Sequence, residues 1–199
     1  MRRFLRLIAA GAGIVIAASF ATAQTPHFKT YRDPQYGVTF RYPAAWKADP
    51  KMEFYLGSII LGTDQPLMKV GFQTSDKGST YPATTSLVGV EFVYLALPQA
   101  TADACYARLP EQDGDSKKSE IVIHGVTYKR VQGADAGMGH GAGRDMYAAY
   151  LRGRCYLFEG GIHSGYAGED MKPLTQKQTR KLQNDLAAVM QSVTISAVH

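Results

Sequence analysis

Residues 36–43 read Tyr-Gly-Val-Thr-Phe-Arg-Tyr-Pro, a stretch in which Val38, Phe40 and Tyr42 are apolar and the residues between them are polar. Successive side chains of a strand point to opposite faces of its sheet, so this alternation predicts a strand with one buried face. Proline cannot donate a backbone hydrogen bond to a sheet, which is why we expect the strand to end at the closing Tyr-Pro.

Further strands are expected on both sides of the middle of the chain. Residues 88–97 form its most apolar stretch outside the N-terminal region, with Glu91 as their single charge, and predict a central strand. Residues 68–73 predict a short strand. Residues 121–128 predict a strand–turn–strand around a His-Gly turn, and residues 146–158 predict a hairpin around Arg-Gly-Arg.

Two helices are predicted. Thr101 is a good N-cap for a short helix over residues 102–109, which Pro110 would end. Residues 173–192 predict a longer helix, in which Thr175 and Gln178 have the spacing of a capping box. Its apolar residues recur on one face and should lie on a sheet. They are Leu182, Leu186, Val189, Met190 and Val193.

The order of these elements is strands, short helix, strands, long helix. It predicts an α+β fold in which an antiparallel β-sheet is packed by helices. With no internal repeat and no linker, residues 24–199 are expected to form one domain.

The N-terminal region predicts export. Residues 1–6 contain three arginines, residues 7–20 are apolar, and Ala21-Thr22-Ala23 is a small-x-small cleavage site, so residues 1–23 are predicted to be a cleaved signal peptide and Gln24 the new N-terminus. An uncleaved membrane anchor is the alternative, although 14 apolar residues are short for a span. These features predict the periplasm of a Gram-negative bacterium, with no stable membrane span after processing.

The charge balance argues against nucleic acid as a partner. The whole chain has 22 Lys and Arg against 17 Asp and Glu. Three of the arginines lie in the predicted signal, so 19 basic residues remain against the same 17 acidic ones. No basic stripe is left to follow a phosphate backbone.

Cys105 and Cys155 are the only cysteines. In an oxidising compartment such a pair is expected to form a disulfide, which would stabilise the fold by about 4 kcal/mol for a loop of this length. Free structural thiols and a reactive thiol are the alternatives, but the redox spacing C-x-x-C is absent.

Three segments carry a resemblance to a known family. Residues 31–46 resemble the opening of PsbP-like domains, with a polar turn, a glycine, an alternating strand, then Tyr-Pro and Trp. Residues 123–126, residues 153–156 and the terminal amphipathic helix are similar to later parts of that pattern. The resemblance implies a PsbP-like α/β/α sandwich around an antiparallel sheet. It also implies an accessory or binding role without catalysis, as in the family member that binds the GTPase Ran.

The chain departs from that family in its cysteine pair and in the glycine-rich residues 133–143, so no ligand site is carried over from the resemblance. This glycine-rich stretch is expected to be a flexible surface loop between strands. Backbone N–H groups of such a loop can bind phosphate, but the usual strand before it and helix after it are missing.

His140 and His163 are the candidates for chemistry. With Met138 and perhaps His124 they would suit a soft metal such as copper, although no H-x-H or H-x-x-x-H spacing is present. His163 also precedes Ser164, and Asp145 and Asp170 are near in sequence, but the G-x-S-x-G turn of a serine hydrolase is missing.

Tyr147, Tyr150 and Tyr156 lie in the predicted 146–158 hairpin and are weak candidates for a partner surface, because tyrosine is enriched at interfaces. Core packing is the competing interpretation.

The sequence therefore favours a non-enzymatic periplasmic accessory or binding protein without a cofactor. Its expected partner is another envelope protein, and its oligomeric state is open. A small metal-binding protein or hydrolase using His140 and His163 is the alternative, and an inhibitor or stress factor acting on an envelope enzyme is a third class.

Overall fold

The computed structural model describes residues 27–53, 58–76, 81, 84–99, 101–110, 117–137, 140–165 and 171–196, with the backbone alone for residues 135–137. The predicted signal peptide lies outside the described residues. So do the candidate site residues Met138 and Asp170, and Tyr166, a further tyrosine that follows the predicted hairpin.

The described residues are mostly β, with two helices and two antiparallel sheets. A three-stranded sheet has the order β1-β2-β10, and a seven-stranded sheet has the order β3-β4-β5-β9-β8-β7-β6. The strands are β1 Phe28–Asp33, β2 Val38–Pro43, β3 Lys47–Ala48, β4 Met68–Gln73, β5 Leu87–Pro98, β6 Lys117–Ile123, β7 Val126–Gly137, β8 His140–Leu151, β9 Arg154–Ser164 and β10 Thr194–Ile195. The helices are α1 Ala102–Tyr106 and α2 Gln176–Gln191. The predicted antiparallel sheet packed by helices is confirmed.

Two tight turns fix the register of the β6–β7 and β8–β9 hairpins. His124 and Gly125 have φ of 48° and 81°, and Arg152 and Gly153 have φ of 53° and 74°. Two successive residues with positive φ make the type I′ turn, whose twist matches that of antiparallel strands. The predicted strand–turn–strand at residues 121–128 and the predicted hairpin at residues 146–158 are therefore confirmed.

Both helices begin where the capping residues predict. The hydroxyl of Thr101 accepts a hydrogen bond from Ala104 N, and Thr175 and Gln178 form a reciprocal capping box. Helix α1 is three residues shorter than predicted. After it, Arg108 N and Leu109 N donate to carbonyls three residues back, which tightens the chain into turns. No helix among the described residues is long and apolar enough to cross a membrane.

The seven-stranded sheet is covered on both faces. Alternate residues of β5 show this, because Phe92 and Tyr94 pack into one core while Val93 and Leu95 pack into another. The first core lies against α2 and the small sheet, and we call its side of the sheet the α2 face. The second core contains Cys105 of α1, and we call its side the α1 face.

The disulfide lies in the second core. Cys105 and Cys155 are bonded, with their Cα atoms 5.2 Å apart, and both are fully buried. The predicted pairing is confirmed. The disulfide joins α1 to the second residue of β9.

The glycine-rich residues 133–143 are not the loop that the sequence predicts. Apart from residues 138–139, which lie outside the described residues, they belong to β7 and β8 and pair in register from Gly133↔Arg144 to Gly137↔His140. Glycine has a low intrinsic preference for strands, but the hydrogen bonds of β8 with β9 on its other side hold this segment in the sheet.

Candidate functional site

A cleft of about 360 Å³ lies on the α2 face, between the helix and the outer strands. Helix α2 packs on β5, β9 and β2 and leaves part of β7 and β8 uncovered, which opens the cleft. Its helix wall is formed by Gln183, Asn184, Leu186, Ala187 and Met190. We call this space the helix–sheet cleft. Its volume is at the lower end of the range for ligand pockets, which begins at about 300 Å³.

Two glycines make the base of the cleft. A Cβ on Gly143 would meet nothing within 4 Å, so the space above this residue is open. A Cβ on Gly160 would touch the Leu186 side chain at 3.4 Å, which is where the helix rests on the sheet. Glycine within a strand often marks a place where a ligand or another backbone comes close.

One ion pair lies at the end of the cleft. Arg130 on β7 donates from Nε and Nη2 to the two carboxylate oxygens of Asp145 on β8, at 2.7 and 2.5 Å. The Arg130 guanidinium also lies 5.5 Å from the ring centre of Tyr147. The hydrogen bonds to Asp145 raise the pKa of Arg130, and burial, followed by the Asp145 charge, raises the pKa of Tyr147. The guanidinium of Arg130 therefore stays protonated, and the phenol of Tyr147 beside it stays neutral.

The mouth of the cleft is lined by carboxamides. Gln132, Gln183 and Asn184 are exposed there, while Phe92 and Ile162 lie deeper. A carboxamide both donates and accepts hydrogen bonds. The cleft thus presents neutral hydrogen-bonding groups above a narrow apolar base.

The α1 face carries a different cluster of polar side chains, centred on Gly161 of β9. Glu91 on β5 and Arg144 on β8 pair in register with Gly161 from its two sides. Glu159 and His163 lie two residues before and two residues after it on the same strand, so all four side chains share this face. We call these four residues the buried charge cluster, because none is more than 5% exposed.

One hydrogen-bonded pair and one ion pair organise the buried charge cluster. His163 Nε2 lies 2.9 Å from Glu91 Oε1, and Arg144 donates to Glu159 Oε1. Gly161 makes room for the first pair, since a Cβ there would lie 2.9 Å from His163 Nε2. Within the described part of the chain, Glu91 Oε2 and Arg144 Nε have no hydrogen-bond partner.

A short segment closes over the cluster. Ser58 Oγ and Ile60 N donate to Glu159 Oε2 at 2.7 and 3.2 Å. Arg108, just after α1, donates to the carbonyls of Ile60 and Leu61, both at 2.9 Å. Ile60 and Leu61 are buried in the second core. The cluster is thus enclosed by protein and offers a substrate no access.

The structure places His140 and His163 close together but does not assemble a catalytic or metal site around them. They are diagonal neighbours on the α1 face, because Ala142 pairs with His163 and lies two residues from His140. No group of three His, Cys, Asp or Glu side chains that could hold a metal is found among the described residues. His124 lies apart, where its ring meets the carbonyl of Gln191.

Ser164 and His163 cannot act as nucleophile and base. They are successive residues of one strand, so their side chains point to opposite faces of the sheet. Ser164 Oγ instead donates to the carbonyl of Gly141 at 3.1 Å. Asp145, the other candidate within the described residues, is paired with Arg130 in the cleft.

The three tyrosines do not share one exposed surface. Tyr147 and Tyr156 are 4% exposed and belong to the α2-face core, where Tyr156 donates to the carbonyl of Tyr36. Tyr150 packs against the core of the other face and donates to the carbonyl of Gln99. Of the three, only Tyr147 lines the cleft. A role for them in partner binding stays a prediction.

Sequence reasoning missed the cleft itself. Arg130, Gln132 and Gln183 are ordinary polar residues of a strand or helix surface, and no spacing connects them. The alternating glycines were the one available signal, because Gly143 is both part of that pattern and the open base of the cleft.

Comparisons with known proteins give similar folds and no family. No family model matches the chain, and no curated protein matches its sequence. Among solved structures, it is similar to LpqN of Mycobacterium tuberculosis, described as involved in cell envelope biogenesis, with 12% identity over 86% of this chain and 91% of that one and a TM-score of 0.48. It is similar to cyanobacterial PsbP (CyanoP) of Synechocystis, with 13% identity over 90% and 98% and a TM-score of 0.44. It is also similar to the Saccharomyces cerevisiae Ran-binding protein Mog1p, with 7% identity over 86% and 96% and a TM-score of 0.43. All three TM-scores are below 0.5.

Proposed function

We propose that this chain is an exported accessory protein of the bacterial envelope, with a PsbP-like α/β/α sandwich, that binds a partner through the helix–sheet cleft and performs no catalysis. The single observation that carries the proposal is the cleft: an open space with a glycine base, an apolar interior and carboxamides at its mouth. Such a site can hold a group by shape and hydrogen bonds.

The distribution of ionisable groups supports binding over catalysis. General acid–base chemistry needs a titratable side chain within reach of substrate. The carboxylates and the imidazole of the buried charge cluster are enclosed on the α1 face, on the other side of the sheet from the cleft. In the cleft, both carboxylate oxygens of Asp145 are occupied by hydrogen bonds from the Arg130 guanidinium.

Export is part of the proposal. The Cys105–Cys155 disulfide suits an oxidising compartment, and the first 23 residues have the pattern of a secretory signal. Mass spectrometry of the protein recovered from the periplasm should find Gln24 as the first residue. An intact Met1 in the membrane fraction would contradict this.

The binding role is tested by capture from the native envelope with matched baits. Gly143→Leu places a side chain in the open base of the cleft, and Thr127→Leu places the same side chain at an exposed position of β7 away from it. The proposal expects an envelope protein that wild type and Thr127→Leu capture equally and Gly143→Leu loses, as measured by quantitative mass spectrometry. Capture that is the same with all three folded baits would refute the cleft as the binding site.

The metal or hydrolase alternative is tested in the same host. We expect His140→Ala to retain the biological role, because no third ligand or nucleophile is grouped with this residue in the described part of the chain. A folded His140→Ala protein that behaves like a deletion of the gene would favour the alternative.

A further inference from the structure

A ridge of basic side chains adjoins the helix–sheet cleft at the N-terminal half of α2. Lys177, Arg180 and Lys181 are exposed there and line a second depression, and Asn184 lines both this depression and the cleft. We call these three cations the basic ridge. Because the two depressions share Asn184, one ligand can occupy both.

The positions on the helix make the two surfaces continuous. Arg180, Gln183 and Ala187 follow each other at spacings of three and four residues, so they form one row along α2. Gln183 and Ala187 line the cleft, which places Arg180 one turn before its mouth.

The charge of the basic ridge is largely uncompensated. Lys181 pairs with Asp185 at 2.6 Å. Lys177 and Arg180 make no ion pair within the described part of the chain, and Asp185 is the one carboxylate that lines this depression. Arg130 and Asp145 in the cleft balance each other, so the described side chains that line the two depressions carry a net positive charge.

We propose that the helix–sheet cleft and the basic ridge together bind an acidic peptide segment of a partner protein, with one apolar side chain of the segment inserted above Gly143 and its acidic residues against Lys177 and Arg180. This inference rests on the proposed function and adds the chemistry of the partner.

Each part of the peptide matches a part of the surface. The apolar base, next to Ile162 and Met190, accepts an apolar anchor, and the glycines let the peptide backbone approach the sheet closely. The carboxamides at the mouth can donate to and accept from main-chain amides. The cations bring an acidic segment to the site and set its direction along α2.

The test is selection from a random twelve-residue phage-displayed peptide library on the immobilised mature protein. The selected peptides are expected to contain an apolar or aromatic residue with Asp or Glu within a few positions. Synthetic copies should lose about tenfold in affinity for Gly143→Leu and nothing for Thr127→Leu. Their affinity for the double variant Lys177→Gln/Arg180→Gln should be about threefold lower than for wild type. This difference in affinity should shrink as the salt concentration rises from about 0.05 to about 0.5 M.

A second cleft variant shows whether the effect of Gly143→Leu comes from filling the cleft or from a local change of the strand. Ala187→Phe narrows the cleft from the helix wall, since Ala187 is an exposed cleft-lining residue, and it should weaken the same peptides. Circular dichroism checks that each variant is folded.

The proposal is overturned if no peptide is selected, if the selected peptides are neutral or basic, or if Gly143→Leu and Ala187→Phe bind them as wild type does. Vesicles containing phosphatidylglycerol form the competing arm. If they bind through Lys177 and Arg180 and no peptide depends on the cleft, the ridge serves a lipid surface. A cleft-dependent partner in the envelope capture, together with neutral or basic peptides here, would leave the proposed function standing and reject this inference alone.

Discussion

Removing the imidazole of His163 is the sharpest test of the buried charge cluster. His163→Leu leaves Glu91 fully buried with its Oε1 partner gone, in a site where Oε2 already has no partner in the described residues. Breaking a buried ion pair from one side typically costs about 3–5 kcal/mol, because the remaining charge stays in a medium of low polarity. That cost is a large part of the stability of a domain, which is about 5–15 kcal/mol in total.

The assay is urea unfolding followed by the fluorescence of Trp46, the single tryptophan, which is buried in the α2-face core. His163→Leu should lower the free energy of unfolding by about 3–5 kcal/mol and the midpoint of thermal unfolding by about 6–20 °C. The double variant Glu91→Leu/His163→Leu removes both polar partners and should recover most of the loss. His27→Leu is the matched control, since His27 is exposed and the change should stay within about 0.5 kcal/mol.

Two results would refute this reasoning. A loss below about 1 kcal/mol for His163→Leu would mean that the pair is not essential to the buried cluster. A double variant whose loss equals the sum of the two single losses would mean that Glu91 and His163 are not energetically coupled. For the same reason His163→Ala is a poor probe of function, because a loss of the biological role could result from unfolding of the protein.

Replacing Cys105 and Cys155 by alanine should cost about 4 kcal/mol, and labelling of the denatured, unreduced wild type should find no free thiol; two thiols per chain would contradict the disulfide. Gly143→Ala should stabilise the fold by about 0.5–1 kcal/mol because its Cβ enters open space in a strand, whereas Gly125→Ala, at a φ of +81°, should destabilise it; chemical denaturation that shows the reverse order would refute this. The fold should also lose stability above pH 10. Burial raises the pKa of three core tyrosines and of one half-buried tyrosine, the last to about 12, so the unfolded chain loses these protons first and stability falls as pH rises, by about 1.4 kcal/mol per pH unit for each of the three core groups and by less for the half-buried one. They are Tyr31, which reaches about 12, and Tyr94, Tyr128 and Tyr147. An absorbance titration in which all twelve tyrosines ionise near pH 10 while the chain stays folded would contradict this.

The elements that could be predicted are those whose signals are local. The alternation in residues 36–43, the Thr175 cap and the His-Gly turn at residues 124–125 each need only their neighbours in sequence, and each has the predicted form. A helix cap and a two-residue turn each depend on hydrogen bonds between residues three or four positions apart. Contacts with distant parts of the chain therefore have little influence on whether they form.

The errors concern segments whose structure depends on distant strands. The glycines of residues 133–143 favour a loop by composition, but Gly141 pairs with Ser164 and the whole of β8 is held by β9. Glu91 was correctly expected in a central strand, yet its partner His163 is 72 residues away, and nothing local indicates it. The cleft could not be predicted because it is a space, left where α2 diverges from the outer strands.

Tyr147 and Tyr150 show a limit of a different kind. Three residues apart on one strand, they must face opposite sides of the sheet, so strand periodicity alone separates them. The pattern could have excluded a single patch that contains both.

The arrangement around Gly161 also determines how the strands can align during folding. If β9 were displaced by one residue against β8, Glu159 would turn toward the α2 face, against the aromatic side chains of Phe92 and Tyr94, and Arg144 would lose its partner. The long, glycine-containing strands β7, β8 and β9 have few bulky side chains at this end to prevent such a displacement. These charged side chains therefore favour one register of the sheet. In a displaced register a carboxylate would be buried in apolar surroundings without a partner, whereas in the native register each charged side chain meets its partner.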